Sequence, residues 1–330
     1  MKNIYILITD DVILSSAAAP IDIFTRTNDL LVAAGQRPAF NVILVSAGDN
    51  IKASNPAQFI CQCTLDDVPA VSPGHNLPLI IVPAFAGGWD EIGEKNRVAV
   101  SWLAEHYVAG SEIASLCVGS YFLAQAGILN GKTCTSHWKA VADMQQRFPK
   151  IKLHGDFVVT DQDGVYTGGG AFSSLNLVLY LVEKFCGHDI GVRVSKQFSI
   201  HRDHISQAHF SVFRGLNQHG DNEILKAQSY IEQKFYQDIS VEQVAACVNM
   251  SKRNFIRRFK QATQFTPLEY IQKVKIEAAK QRLESSSQAI QNLMYDIGYN
   301  DVKTFRDIFK RLTGVTPQEY RKKYGRDQLP

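Results

Sequence analysis

The sequence predicts two domains of different class: an α/β domain with a parallel sheet and helices on both faces, followed by an all-α domain. The chain has 330 residues, which is enough for two domains with separate cores. In its first two-thirds, short β-branched runs alternate with helical stretches. The last third instead contains a residue pattern that occurs twice. These observations place the domain change in the second half of the chain.

Near-continuous apolar runs joined by helical crossovers are typical of strands buried in a parallel sheet. The predicted strands are Ile4–Thr9, Asn41–Val45, Leu79–Val82 and Ile113–Cys117. The predicted helices are Ala19–Ala33, Asn96–Val108, one that begins at Tyr121, and Ser173–Cys186. Between the last two helices, Asp161–Gly164 has the composition of a hairpin turn.

The pattern in the last third consists of eight residues, each repeated 50 positions later. The first copy is Phe255, Phe259, Lys260, Thr263, Thr266, Pro267, Glu269 and Tyr270, and the second is Phe305, Phe309, Lys310, Thr313, Thr316, Pro317, Glu319 and Tyr320. Two copies are too few for a solenoid, which needs about three or more units. The pattern therefore indicates a small module that is used twice.

Each copy has the sequence features of a helix, a tight turn and a second helix. In the first copy, Asn249 falls where the turn needs a residue tolerant of positive φ, and Ser251 is a candidate N-cap for the helix Lys252–Thr263. In the second copy, Gly298 lies at the turn before the helix Val302–Thr313. This order predicts a helix-turn-helix, whose second helix enters the major groove of DNA.

Helical phase turns the aromatic residues of each second helix inward and its charged residues outward. The expected core residues are Phe255, Phe259 and Ala262, then Phe305, Phe309 and Leu312. The expected outward residues are Arg253, Arg257, Lys260, Lys303, Asp307 and Lys310, with Arg306 on the flank. A charged stripe on a lone helix is usually a solvated face, but the duplication and the turn residues favour DNA binding. Arginine at such positions can bond both acceptors of a guanine edge.

Spacing and charge agree with a DNA partner. The stretch Pro267–Glu284 is rich in helix formers, and as one helix it would span about 27 Å. That length is comparable with the ~34 Å between successive major grooves. Residues from Asp221 onward carry a net charge of +6, whereas residues 1–220 carry −3. A basic tail on a mildly acidic body suggests that the tail binds nucleic acid.

Composition is that of an ordinary globular protein, with 45% hydrophobic and 20% charged residues. The run Ile4–Ile8 is too short for a signal peptide, and no apolar run reaches the ~18 residues that span a bilayer. Six cysteines in a chain of this length favour reduced thiols in a cytoplasm over a disulfide framework. Neither the cysteines nor the histidines predict a metal site or a cofactor. The weak candidates are Cys61 with Cys63, and the group His201, His204 and His209, for which we expect a solvated linker.

The pentad Ser115–Gly119 has the layout of a nucleophile elbow. A small residue lies two positions before Cys117 and a glycine two positions after it, between a predicted strand and a predicted helix. In such a turn, backbone donors and the helix dipole can lower the pKa of a thiol. The alternative is that Cys117 is one more small buried residue. The pentad alone leaves both interpretations open.

Longer motifs resemble known families over nearly the whole chain. Ile224 to Tyr324 resembles the AraC-type DNA-binding domain through its two helix-turn-helix units and the T-P-x-E-Y after each. Residues 1–190 resemble the flavodoxin-like PfpI branch of the glutamine-amidotransferase-like domains. The matching segments are residues 19–24, 114–120, 126–131, 135–138 and 168–170. Together the two parts resemble a GlxA-type transcriptional regulator. This implies a sensing domain over residues 1–190, a linker over 191–222 and a DNA-binding domain over 223–330.

The resemblance also assigns site residues. The DNA-contacting positions of the family fall on Ser251, Lys252, Arg253, Ile256, Arg257, Lys303, Arg306 and Asp307. At Asp307 many relatives carry arginine. In the first domain, the base and acid positions of enzymatic relatives are occupied by Val118 and Ser16, and Asp22 lies one turn into its helix. We therefore expect no catalysis, and instead a ligand pocket formed by Cys117, Val118, His137 and Ser16.

The resemblance further implies a homodimer, RNA polymerase as a partner, gene activation, and an amino acid or quaternary amine as effector. No membrane partner is expected. Trp89 and Trp138 could form an aromatic wall for a cation, although tryptophans in the protein core are the simpler explanation. A cysteine hydrolase, amidase or glyoxalase fused to the DNA-binding domain is the alternative function. A redox switch at Cys117 is a third, and it lacks an obvious resolving cysteine.

Overall fold

The computed structural model describes residues 1–48, 59–70, 77–89, 91–201, 206–213, 215 and 219–326. They form two compact units, Met1–Gln207 and Ala208–Pro330. Among the described residues, no helix is both long enough and apolar enough to cross a membrane.

The first unit is an α/β domain. Its strands are β1 (Lys2–Ile8), β2 (Phe40–Ser46), β3 (Cys63–Thr64), β4 (Leu79–Val82), β5 (Glu112–Ser115), β6 (Thr133–Cys134), β7 (Lys152–Leu153), β8 (Val159–Gln162) and β9 (Val165–Gly168). Its helices are α1 (Leu14–Ala33), α2 (Ile92–Lys95), α3 (Arg97–Val108), α4 (Ser120–Gln125), α5 (Val141–Arg147), α6 (Leu175–Cys186) and α7 (His188–Gln197). The predicted α/β class is confirmed, and each predicted strand and helix is present with ends shifted by a few residues.

Seven strands form one sheet in the order β3-β2-β1-β4-β5-β9-β8. Neighbouring strands are parallel except β8 and β9, which form the antiparallel hairpin predicted at Asp161–Gly164. Alternate residues of each strand enter different cores, because successive side chains point to opposite faces. On β4, Ile80 and Val82 join one core with α3 and α4, while Leu79 and Ile81 join the other with α1 and α6. The sheet is therefore covered on both faces, as predicted.

The end of the first unit differs from the expected domain boundary at residue 190. Helix α7 begins at His188 and packs on α6, burying Ile190 and Val194, so it belongs to the α/β unit. The expectation of a solvated linker is wrong at His209, which is 7% exposed and lies 4.1 Å from the ring of Phe210 between ring centres. His204 and residues 216–218 lie outside the described residues.

The second unit is all-α, as predicted. Its helices are α8 (Asn222–Lys234), α9 (Val241–Cys247), α10 (Lys252–Thr263), α11 (Pro267–Ser285), α12 (Ile290–Asp296), α13 (Val302–Thr313) and α14 (Pro317–Tyr324). The helices α8 to α10 and the start of α11 share one apolar core, and the rest of α11 shares a second core with α12 to α14. The single helix α11 therefore joins the two copies of the module, as the sequence predicts.

Candidate DNA-binding and ligand-binding sites

The first helix-turn-helix is formed by α9 and α10. Ser240 caps α9 by accepting the backbone N–H of Gln243. After α9 the chain turns at Asn249, whose φ of +53° confirms the predicted turn position. The hydroxyl of Ser251 then accepts the backbone N–H of Asn254 at 3.5 Å, so the predicted N-cap is also confirmed.

The second helix-turn-helix is formed by α12 and α13, and its turn is one residue longer. Gly298 has a φ of +76°, and a Cβ there would lie 2.7 Å from the carbonyl oxygen of Tyr236. Both the backbone conformation and the close approach therefore require glycine. Asp301 caps α13 by accepting the backbone N–H of Thr304 at 2.6 Å. The extra turn residue explains why α9 and α12 are 49 positions apart while α10 and α13 are 50 apart.

Seven of the eight repeated residues pack in the core or cap a helix in each module, and the eighth, Lys260 or its copy Lys310, is exposed. In the first copy, the rings of Phe259 and Tyr270 pack edge to face at 5.3 Å, and the Tyr270 hydroxyl donates to Glu232 at 2.6 Å. The second copy repeats this arrangement with Phe309 of α13, Tyr320 of α14 and, as acceptor, Glu284 of α11. Thr266 and Glu269 cap α11 reciprocally, with Pro267 in the first turn. Such a capping box satisfies backbone N–H groups at a helix start. Residues that contact DNA selectively must therefore lie mostly at positions where the copies differ.

The predicted DNA-contacting side chains lie on the outer faces of α10 and α13. The exposed ones are Ser251, Lys252, Arg253, Arg257, Lys260, Lys303, Arg306, Asp307 and Lys310, while Ile256 is half-buried. Phe255 and Phe259 are fully buried, as helical phase predicts. Lys252 forms an ion pair with Glu242 of α9. Each second helix thus presents a polar face with several cations to solvent.

Arg258 has a different environment from its neighbour Arg257. The Nε and Nη2 atoms of Arg258 donate to the carboxylate of Asp221 at 2.5 and 2.9 Å, and Asp221 is the N-cap of α8. Arg257 instead donates to the side-chain oxygen of Asn254 at 3.0 Å, one turn back on the same helix. Arg258 therefore ties α10 to α8. Nothing in the local sequence marks this pair, because its two residues are 37 positions apart.

In the first unit, the turn around Cys117 has the strained geometry of an elbow. Cys117 has a φ of +55°, which is uncommon for a residue other than glycine. At Gly119, a Cβ would lie 2.4 Å from the carbonyl oxygen of Val82, so a larger residue does not fit. The turn predicted from Ser115–Gly119 is confirmed, and it lies against the carboxyl end of β4.

The electrostatics at Cys117 differ from those of an activated thiol. Cys117 is 6% exposed, and its burial raises the pKa of the thiol, while the backbone N–H groups of Ala171 and Val118 oppose this rise. Of the two interpretations left open by the pentad, the pKa agrees with a small buried residue, because the desolvation penalty exceeds the effect of the two donors. The raised pKa disfavours the thiolate, which is the nucleophilic form of cysteine.

The four predicted ligand-binding residues lie around one edge of the sheet. The hydroxyl of Ser16, at the start of α1, accepts the backbone N–H of Ala84 at 2.8 Å, just after β4. Val118, which is 8% exposed, belongs to the elbow after β5. A Cβ at Gly170, just after β9, would lie 2.5 Å from the ring of His137. The carboxyl ends of parallel strands are where α/β folds usually bind ligands.

His137 is suited to remain neutral. Its Nδ1 accepts the backbone N–H of Lys139 at 3.0 Å. Burial, reinforced by the charge of Lys139, lowers the pKa of His137. Asp22 is exposed on α1. A neutral imidazole with a fixed tautomer is a hydrogen-bonding group for a ligand as well as a packing group.

The two tryptophans considered for an aromatic wall already have partners within the protein. Trp89 stacks on Tyr121 with ring centres 5.4 Å apart. The Nζ of Lys139 lies 5.3 Å from the centre of the Trp138 ring. Both tryptophans are half-buried. These contacts favour the structural interpretation of both side chains.

Comparison with known proteins agrees with this architecture. The DJ-1/PfpI family model matches residues 2–184, and a helix-turn-helix domain model matches residues 244–323. The HTH-type transcriptional regulator GbdR of Pseudomonas aeruginosa is 25% identical over 97% of this chain and 84% of its own length. The HTH-type transcriptional regulator GlxA of Rhizobium meliloti is 23% identical over 88% of this chain and 87% of its own length.

A solved structure shows the same fold in the first part. The crystal structure of an AraC family transcriptional regulator from Pseudomonas putida covers 60% of this chain and 100% of its own, with 17% identity and a TM-score of 0.50. At that identity the likeness concerns the fold alone. The chain belongs to the DJ-1/PfpI family, and it joins that flavodoxin-like domain to a C-terminal helix-turn-helix domain of AraC type.

Proposed function

We propose that this protein is a ligand-responsive transcriptional regulator that binds a double-stranded DNA operator through α10 and α13. The observation that carries the proposal is the duplicated helix-turn-helix, in which each second helix exposes cations on the face opposite its buried phenylalanines. The regulators that resemble the chain over most of its length support it.

The two helices are proposed to contribute unequally to operator binding. On α10, Arg253 and Arg257 are both exposed and can contact base edges, while Lys260 is suited to phosphate. On α13, Asp307 occupies the position equivalent to Arg257 and adds a negative charge close to the DNA backbone. A carboxylate can accept from a cytosine amine, but it repels phosphate. We therefore assign the larger share of affinity to α10.

The first domain is proposed to sense a small molecule without catalysis. A cysteine nucleophile needs a base within hydrogen-bond reach. Here the thiol is buried with a raised pKa, Val118 follows it, and the hydroxyl of Ser16 accepts a backbone N–H. The ligand would contact Cys117, Val118, His137 and Ser16 after a small opening of the site, because the first two are nearly inaccessible.

The family resemblance supplies the remaining parts of the proposal. They are a homodimer, RNA polymerase as a partner, activation of transcription, and an effector from the amino acids or quaternary amines. The cytoplasmic location is proposed from the cysteine content instead. Control by a ligand also requires that the ligand bind one arrangement of the protein more tightly than another. Equal affinity for both arrangements would leave their populations unchanged.

Two experiments test the proposal. A thermal-shift screen of amino acids, betaines and polyamines on the full chain should find a compound that also changes the affinity for a selected duplex. Replacing Cys117 by alanine removes one of the four contacts proposed for the ligand, so the response should weaken but not disappear. The fused cysteine enzyme is the competing function, and the elbow geometry is the observation in its favour. Hydrolysis of the hit by the wild type, lost in Cys117→Ala, would establish that function instead.

A further inference from the structure

The side chain of Gln207 is buried in the wall of the candidate ligand site. Gln207 is 1% exposed and is the last residue of the first compact unit. Its Oε1 accepts the backbone N–H of Gly170 at 2.7 Å. Its Nε2 donates to the carbonyl oxygens of Ser136 at 2.8 Å and of Phe157 at 3.1 Å. The amide therefore joins three separate segments of the domain, all of them distant in sequence.

The surrounding backbone is shaped for this amide. A Cβ at Gly169 would lie 2.7 Å from Oε1 of Gln207, so glycine leaves the space that the side chain fills. The backbone N–H of Gln207 itself donates to the carbonyl oxygen of Asp156 at 2.8 Å. Each polar group of the buried side chain is thus paired, as burial of an amide requires.

The residues bonded to Gln207 are those that hold the elbow. The Ser136 hydroxyl donates to the carbonyl oxygen of Cys117 at 3.2 Å. Ala171, next to Gly170, has its N–H directed at the Cys117 sulfur and a φ of +46°. Gly170 also packs against the ring of His137. A change at the ligand site that moves Ser136 or Gly170 by about 1 Å would break hydrogen bonds to Gln207.

We propose that Gln207 is a positioning residue that couples the ligand site to the chain leading into the DNA-binding unit. While its amide is bonded, the wall of the site is closed over Cys117 and the end of the first unit is fixed. Opening of the site for a ligand breaks the hydrogen bonds of the Gln207 side chain. The first unit then no longer holds the chain immediately before Ala208. The regulatory consequence of this release rests on the proposed function, whereas the coupling itself does not.

Hydrogen exchange in the wild-type full chain tests the coupling without any substitution. If one opening event frees both groups, the amides of Gly170 and Gln207 have protection factors that agree within about threefold. A Gly170 amide protected more than about tenfold better than that of Gln207 would show that the two open independently and would overturn the proposal.

A second test uses thiol labelling of Gln207→Glu. The new carboxylate would face the carbonyl oxygens of Ser136 and Phe157 in place of a donor, so the side chain should leave its site. We expect iodoacetamide to label Cys117 at least about tenfold faster than in the wild type. The labelling rate of exposed Cys247 is the internal reference for the activity of the reagent, and labelling of buried Cys134 reports global unfolding. Gln146→Glu, on the exposed face of α5, is the matched control.

The outcomes separate the proposal from its alternatives. Faster labelling of Cys117 with Cys134 still protected supports the coupling, and unchanged labelling of Cys117 overturns it. If Cys134 also becomes reactive, Gln207 is a general stabiliser of the fold, and the proposal fails. Carbamidomethylation of Cys117 in the wild type supplies the reverse test, since a group placed in the site should raise exchange at the Gln207 amide. None of these measurements uses DNA. The coupling can therefore be refuted while the regulator proposal stands, and the regulator proposal can be refuted while the coupling stands.

Discussion

Two neighbouring arginines on α10 are expected to respond differently to replacement by alanine. The Arg257 side chain is exposed and contacts only Asn254 of its own helix among the hydrogen bonds described. The Arg258 guanidinium makes two bonds to Asp221, which caps α8. Arg257 is thus available for DNA, whereas Arg258 is engaged in holding the domain together.

The magnitudes follow from these environments. Losing a bidentate contact to guanine costs about 1–3 kcal/mol, so Arg257→Ala should weaken operator binding by roughly 5- to 150-fold. Arg258→Ala removes a partly exposed bidentate pair, which contributes about 1 kcal/mol to stability. For a domain of this size such a loss lowers the Tm by about 3–6 °C. Arg257→Ala should leave the Tm unchanged, because no contact between helices is lost.

The assay is a fluorescence-anisotropy titration of each variant with a selected operator and with a scrambled duplex, accompanied by thermal unfolding. Arg257→Ala should reduce the preference for the operator, and Arg258→Ala should preserve it. Equal loss of preference in the two variants, or a larger fall in Tm for Arg257→Ala, would refute the assignment. The same titration ranks the helices, since Arg257→Ala should weaken binding more than Arg306→Ala.

Three further predictions concern conformation and ionisation. Gln264 ends α10 at φ +64°, where α13 ends at Gly314 with φ +80°. Gln264→Gly should therefore raise the free energy of unfolding by about 0.5–1 kcal/mol, and Gly314→Gln should lower it, as measured by urea denaturation. Since Cys117 is buried and Cys247 is exposed, iodoacetamide should label Cys117 at least about tenfold more slowly than Cys247 at pH 7.5, and comparable rates would contradict the assigned burial. Burial also lowers the pKa of His137, so the unfolded state takes up a proton near pH 6.5 that the folded state resists. Stability should then fall as the pH drops from about 6.5 through the lowered pKa, and His137→Gln should flatten this dependence in urea midpoints measured between pH 5 and pH 8.

The helix-turn-helix units could be predicted in detail because their signals are local. Asn249 and Gly298 mark turns that need positive φ, and Ser251 caps the next helix within three residues. The phase of Phe255 and Phe259 fixes which face is buried. The second copy of the repeat gives independent support for each of these elements. Most of the repeated residues, however, stabilise the fold and do not indicate which side chains contact DNA.

The end of the first domain was harder to predict because its signals are weak or distant. Helix α7 has a mostly polar sequence, and only Ile190 and Val194 mark its buried side. His209 lies in a stretch with the composition of a linker, but its ring packs on that of Phe210. The boundary expected at residue 190 therefore lies before the end of the first unit at Gln207.

The environment of the ligand site depends on contacts between distant residues. Gln207 bonds to Ser136, 71 positions away, and nothing in the local sequence marks that pairing. The pentad predicts the elbow at Cys117 but not the burial that raises its pKa. A motif specifies the local backbone, whereas the ionisation of its side chain is set by the atoms packed around it.

The proposed function requires that α10 and α13 bind neighbouring major grooves of one duplex. Selection of duplexes from a random library by the full chain, followed by footprinting of the enriched sequence, shows whether they do. For each bound protomer we expect two protected major-groove segments whose centres are about 10 base pairs apart. In Arg257→Ala and Arg253→Ala, the protection under α10 should weaken. An output pool no richer in any sequence than the input, or a single protected segment, would contradict the account.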